Sequence, residues 1–179
     1  MSLILFETIC SLKEQSQEQI ENNLSTLKAG LSNQGDALIE VQFAQDYHSA
    51  FIIVESSDEK IAAKTIEDNN FKVTLTKEVR LIGEDVEKVK QQNDVINYLV
   101  EWNLPENLTV EQYLQRKQQN SAYYEEVPEV DFARTYVCED MTKCLCFYEA
   151  PDVEAVKRAR EAVKAPIDAI TELGNNVKE

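Results

Sequence analysis

Apolar residues along this chain switch from a period of two to a helical period and back, and the whole cycle runs twice. Leu3–Cys10 alternates as a strand, and Ile20, Leu24, Leu27 and Leu31 then form one stripe of a helix from Ser16 to Leu31. Asn33-Gln34-Gly35 stops that helix. Ala37–Ala44 and Ala50–Glu55 read as strands joined across Gln45-Asp46-Tyr47-His48-Ser49, a hairpin. Ser57 or Asp58 caps a second helix to Glu67, and Phe71–Ile82 is a closing strand.

The second cycle repeats that order. Val95–Trp102 is a strand, and Leu104–Leu108 is a loop. Thr109-Val110-Glu111-Gln112 makes a capping box for a helix to Glu125. Asp131–Cys138 and Cys144–Glu149 are strands around the turn Glu139-Asp140-Met141-Thr142. Pro151-Asp152 caps a helix over Val153–Val163, Ala165-Pro166 breaks it, and Ile167–Leu173 is the last strand. Adding 94 to Glu7, Asp46, Glu55 and Asp58 gives Glu101, Asp140, Glu149 and Asp152, with no insertion between the first strand and the second helix. Each cycle is βαββαβ, the split βαβ of ferredoxin-like folds. The expected domains are residues 1–83 and 94–179, with the polar stretch 84–93 as linker.

One pattern predicts how two such units assemble. Leu145 and Phe147 alternate with Cys144, Cys146 and Tyr148, so both faces of this strand are apolar. Phe51 and Ile53 likewise alternate with Ala50, Ile52 and Val54. An antiparallel sheet with helices on one face should show polar residues on the other. The second face therefore needs a cover, which predicts an α+β pseudo-dimer of the dimeric α/β-barrel type, sheet to sheet within one chain.

Charge narrows the partners. Thirty-three acidic against eighteen basic residues give a net charge of −15, a field that repels nucleic acid and anionic membranes and favours cations, small molecules or self-association. No apolar run is long enough to span a bilayer, and the opening Met-Ser-Leu-Ile-Leu-Phe-Glu lacks a basic leader. Both point to a cytoplasmic chain, whose four cysteines, Cys10, Cys138, Cys144 and Cys146, stay reduced and pack as small apolar groups. Cys144 and Cys146 share a strand face with Cα atoms roughly 6.5–7 Å apart, at the limit for a disulfide.

Tyr98-Leu99-Val100-Glu101-Trp102-Asn103-Leu104-Pro105-Glu106, Cys146-Phe147-Tyr148-Glu149-Ala150-Pro151-Asp152 and Ala165-Pro166-Ile167-Asp168 carry a resemblance. This half of the chain resembles a family of small bacterial domains of unassigned function, one branch of which is described as nickel-binding. The resemblance implies a ferredoxin-like unit that pairs into an α/β barrel. Before the hairpin the family often places His-Ser-Tyr, whereas this chain reads Arg134-Thr135-Tyr136, with Glu40 at the first unit's equivalent position. A cation in place of the imidazole argues against a nickel site of that type. The single histidine, His48, falls at a hairpin tip.

Candidate chemistry rests on acids at strand ends. Glu101 and Glu149 close the first and third strands of the second unit, and Glu7 and Glu55 those of the first. Reading those strands as adjacent and parallel sets each pair at one sheet edge, where two carboxylates can hold a divalent cation or share acid–base work. Glu101 and Glu149 are thus the candidate metal ligands. For a small ligand, they are the anchors, Arg134 the counter-charge, and Tyr136, Tyr148 and Trp102 the walls. Phosphate loops, zinc motifs and nucleophile elbows are missing from the sequence. The expected function is therefore non-catalytic binding or sensing of a small ligand or divalent cation, in an inter-sheet or helix–sheet cavity. The alternatives are a monooxygenase- or isomerase-like barrel enzyme and a protein-interaction module. No particular cofactor is implied.

Overall fold

The structure, a computed structural model, describes residues 1–10, 16–91 and 95–174. They divide into two compact units. The first holds strands β1 (Ser2–Cys10), β2 (Ala37–Ala44), β3 (Ser49–Ser56) and most of β4 (Phe71–Ile82), with helices α1 (Gln17–Asn33), α2 (Glu59–Asp68) and α3 (Val86–Gln91). The second takes up the chain at Arg80–Glu84 and again from β5 (Tyr98–Asn103). It contains α4 (Val110–Asn120), a 3-10 helix (Ser121–Glu126), β6 (Asp131–Cys138), β7 (Lys143–Glu149), α5 (Val153–Ala162) and β8 (Ala169–Gly174) up to Leu173.

Each helix starts where a side chain can satisfy its free N–H groups. Ser16 and Gln19 close a capping box on α1, and Thr109 and Gln112 close one on α4. Asp58 accepts from Lys60 N and Ile61 N at the head of α2, and Asp152 accepts from Ala155 N at 2.8 Å at the head of α5. Gly35 after α1 stands at φ 85°, a left-handed geometry that costs glycine little.

The sheets are antiparallel. β1 lies between β4 and β3, with β2 outside β3. β5 lies between β8 and β7, with β6 outside β7. The offset of 94 holds in the register: β2 bulges between Leu38 and Glu40, and β6 between Phe132 and Arg134. Tyr47 and Met141 have φ 57° and 58° in the two hairpin turns, and Asn70 and Lys164 have φ 72° and 58° after the second helices.

One face of each sheet packs against its own helices. In the first unit Ile4, Phe6, Ile52 and Val54 meet Ile20, Leu24, Leu27, Leu31 and Ile66. In the second, Val100, Trp102, Cys144, Cys146 and Tyr148 meet Tyr113, Ala155, Val156 and Ala159. The alternate residues Leu5, Phe51, Ile53, Leu99, Leu145 and Phe147 are buried too, as the apolar alternation requires.

Three expectations shift. Residues 86–91, expected as linker, form α3: Asp85 Oδ1 accepts from Glu87 N at 3.0 Å and Val89 is buried. β5 starts at Tyr98 rather than Val95, and just before it the Asn97 side chain bonds both the N–H and the C=O of Ala150. The helix after Thr109 tightens into a 3-10 turn at Ser121, whose hydroxyl donates back to the Lys117 carbonyl. No helix among the described residues is long and apolar enough to cross a membrane.

Candidate functional site

The predicted glutamate pair does not form. A crossover sends β6 parallel to β5, and the hairpin then returns β7 in the opposite sense, so β5 and β7 are antiparallel, not parallel. Glu101 stands opposite Leu145 and Glu149 lies four residues further along β7, about 13 Å away at strand rise. Glu101 Oε1 accepts instead from Lys143 Nζ at 2.7 Å. Glu149 is exposed, opposite Asp131. Glu7 and Glu55 are separated in the same way, opposite Phe51 and Leu3.

Arg134 is not their counter-charge either. It is buried, with Nε 3.5 Å from Glu84 Oε2. It pairs with Phe147 on the sheet face away from the helices, where Tyr136 stacks edge-on against Phe147. Of the six predicted site residues, only Trp102 lines the cavity on the helix-facing side of the second sheet, and Tyr148 stands behind it, hydrogen-bonded to the lining residues Tyr124 and Arg160.

That cavity lies among β5, β7, α4 and α5. Trp102, Tyr113, Lys117, Tyr124, Cys146 and Arg160 line it, with Arg116 and Lys164 at its margin. Tyr113, Lys117 and Tyr124 follow one another at spacings of four and seven along α4 and its 3-10 extension, one helical face. Arg160 sits between Val156 and Val163 on the buried stripe of α5. A charge at a core position of each stripe is the signal that sequence reading passed over.

Hydrogen bonds hold the polar groups in place. Arg160 Nη1 donates to Tyr148 Oη at 3.0 Å, and Nη2 to the Pro166 carbonyl at 2.5 Å. The Tyr148 and Tyr124 hydroxyls share a proton at 2.7 Å. Lys117 Nζ donates to Thr135 Oγ1 at 3.1 Å and lies 4.2 Å from the centre of the Phe132 ring. Thr135 in turn donates to Cys146 Sγ at 3.4 Å. Arg116 rests over Trp102, 5.6 Å from its centre. Arg160 Nε is buried and has no hydrogen-bond partner among the described residues.

Burial and charge shift these groups in opposite senses. Removal from water lowers the Lys117 pKa, disfavouring the ammonium. Burial pushes Tyr124 up to about 12 and raises Tyr148 well above the usual phenol value. Cys146 is drawn well below the usual thiol value, first by a hydrogen bond from Cys144 and then, against its own burial, by Arg160, Lys117 and Thr135. Cys144 is raised correspondingly. Cys146 is therefore the more acidic thiol of the pair, not merely a small apolar filler. All four cysteines are free and buried.

The arrangement is cationic and partly apolar. Four Lys and Arg residues and no carboxylate line the cavity among the described residues, in a chain of net charge −15. The chemistry of the residues does not fit a nickel centre here. The position where the resembling family places imidazole holds Arg134, already against Glu84. The Cys144–Cys146 thiols lie beside cations that would oppose a dication. Among the described residues, no group of three His, Cys, Asp or Glu is placed to hold a metal.

Comparison with known proteins places the second unit. The model of the family described as "Nickel responsive protein SCO4226-like" aligns with residues 98–173. Residues 98–173 match this SCO4226-like family. The crystal structure of SCO4226 from Streptomyces coelicolor A3(2) is 23% identical, covering 41% of this chain and 90% of that one, with a TM-score of 0.36. Two other structures extend over nearly the whole chain. "Putative Chlorite dismutase TA0507" gives a TM-score of 0.61 at 10% identity, over 97% of this chain and 95% of its own. A "putative monooxygenase from Lactobacillus acidophilus NCFM" gives 0.51 at 10% identity, over 97% and 94%. The chain thus has the dimeric α/β-barrel fold, built from ferredoxin-like units. No curated protein matches it.

Proposed function

We propose that this protein is a non-catalytic, cytosolic small-ligand binder, and that the ligand enters the helix–sheet cavity of the second unit rather than the strand-end glutamates. The observation that carries the reading is the pair of cations, buried Arg160 and half-buried Lys117, set among Trp102, Tyr113 and Tyr124. Convergent polar groups in an otherwise apolar recess are the ordinary make-up of a small-molecule site. Arg160 is fixed by Tyr148 and Pro166 and so is presented without reorganisation. The family's described response to nickel supports a sensing role, but these residues favour a ligand other than a metal. Likeness to a chlorite dismutase and a monooxygenase rests on fold alone.

Trp102 is the chain's single tryptophan and lines the cavity, so its emission reports on occupancy. Screening small organic acids, amides, alcohols and divalent metals by Trp102 fluorescence and melting temperature tests the proposal. A saturable change with a small organic compound, weakened at least tenfold by Val163→Phe, is the expected result. Saturable binding of divalent metals alone, unaffected by Val163→Phe, would move the site elsewhere.

A further inference from the structure

We infer that the ligand of this cavity is a small organic anion, a short monocarboxylate, held through its charge by Lys117 and Arg160. The inference rests on the cavity reading above and names the chemical class that the cavity selects.

Two cations in a low-dielectric recess are costly unless something compensates them. No aspartate or glutamate lines this one among the described residues. Tyrosine hydroxyls partner Arg160 and threonine partners Lys117, and these supply dipoles, not charge. The compensating anion is therefore either the Cys146 thiolate or a guest.

Donors remain for a guest. Arg160 gives one Nη1–H to Tyr148 and one Nη2–H to the Pro166 carbonyl, and its Nε–H is buried with no hydrogen-bond partner among the described residues. An ammonium has three N–H groups; Thr135 takes one at Lys117, and the Phe132 ring faces another side. Of the five guanidinium N–H groups, up to three are thus unspent, and with the remaining ammonium N–H they are enough for the two oxygens of a carboxylate.

Size points the same way. The cavity offers about 40 Å³ to the centres of water-sized groups, which suits a carboxylate on a short stem rather than a drug-sized molecule. Beyond it stand Trp102 and Tyr113, apolar surface for the tail. Charge-assisted bonds inside such a site are about twice as strong as neutral ones, so discrimination should fall on charge.

The test titrates the full-length protein with propionate, propionamide and inorganic phosphate, following Trp102 emission and melting temperature. Wild type is compared with Lys117→Met, which keeps the aliphatic stem, and with Arg160→Lys, which keeps the charge but loses Nε–H. The expected result is saturable binding of propionate, at least tenfold weaker binding of propionamide, and at least tenfold loss of propionate affinity in Lys117→Met. Arg160→Lys should weaken propionate more than propionamide. Equal affinity for propionate and propionamide would overturn the charge assignment while leaving the cavity as a binding site. Binding of phosphate without propionate would overturn the carboxylate class. No binding of any of the three, in a wild type that melts cooperatively, would remove both the inference and the cavity reading.

Discussion

Glu101 shows how a single neighbour decides what a side chain does. Its carboxylate sits at the end of β5, largely covered, 2.7 Å from Lys143. A glutamate already satisfied by a lysine is a poor ligand anchor. Glu101→Gln should lower stability by about 1 kcal/mol, the size of one charge-assisted bond in a partly covered site, and should leave propionate affinity unchanged. Urea denaturation and Trp102 titration of the same variant check both halves, and a tenfold loss of affinity would return Glu101 to the site. Cys10 gives a second expectation. Burial, with a smaller push from Asp46, raises its thiol from the usual 9.0 to about 11. The folded state thus holds this proton longer than the unfolded chain. The stability it contributes is complete below pH 9 and is lost as pH climbs towards 11. Between pH 8.5 and 10.5 the urea midpoint of wild type should fall further than that of Cys10→Ala; parallel curves would refute the assignment. At this scale the sequence was least readable. Lys117 and Arg160 look like solvated charges until α4 and α5 are oriented, and only then does their place on buried stripes show. The burial of Trp102 and Tyr148 against the helices was legible because an apolar alternating strand leaves an aromatic nowhere else to go.

Elements were far easier to foresee, because each boundary has its own chemistry. Ser57 or Asp58 was expected to cap α2 and Asp152 to cap α5, and Asp58 and Asp152 do so. Asp58→Ala and Asp152→Ala should each cost about 1 kcal/mol, measured by denaturant unfolding; a loss below about 0.3 kcal/mol would mean that water replaces the cap. Gly35→Ala should cost a similar amount, because its φ of 85° disfavours any Cβ although open space surrounds it. Boundaries went astray by a residue or two where pairing thins out, as at Asn97, which keeps backbone bonds to Tyr148 and Leu173 and adds side-chain bonds to Ala150. The relative sense of β5 and β7 was misread, since strand ends taken one at a time carry no direction. Tracing the crossover and the hairpin together gives the antiparallel pair, and with it the separation of Glu101 from Glu149. That one geometric step moves the candidate site from the strand ends to the helix–sheet cavity.

For the molecule as a whole, two properties were visible in the chain itself: the doubled βαββαβ order with its apolar strand faces, and the charge of −15. The first led to a dimeric α/β-barrel fold that the solved structures share. The second sets how stability answers to salt. Surface ion pairs such as Arg80–Glu139 and Lys64–Asp68 are exposed, and pairs of that kind contribute at most about 1 kcal/mol, less as salt rises. Against them stands the repulsion of fifteen uncompensated negative charges (thirty-three less eighteen), which favours the expanded chain. At low ionic strength this repulsion reaches across about 30 Å, and at 0.1 M across about 10 Å. Excess like charge therefore outweighs the few exposed pairs. Melting temperature at pH 7 should rise as sodium chloride goes from 10 mM to 150 mM, with most of the gain complete by the upper value. Lys117→Met should gain as much, which separates screening from anions entering the cationic cavity. If only wild type gained, the effect would belong to anion occupancy near Lys117 and Arg160 rather than to the global field. A fall in melting temperature in both proteins would mean that the ion pairs dominate.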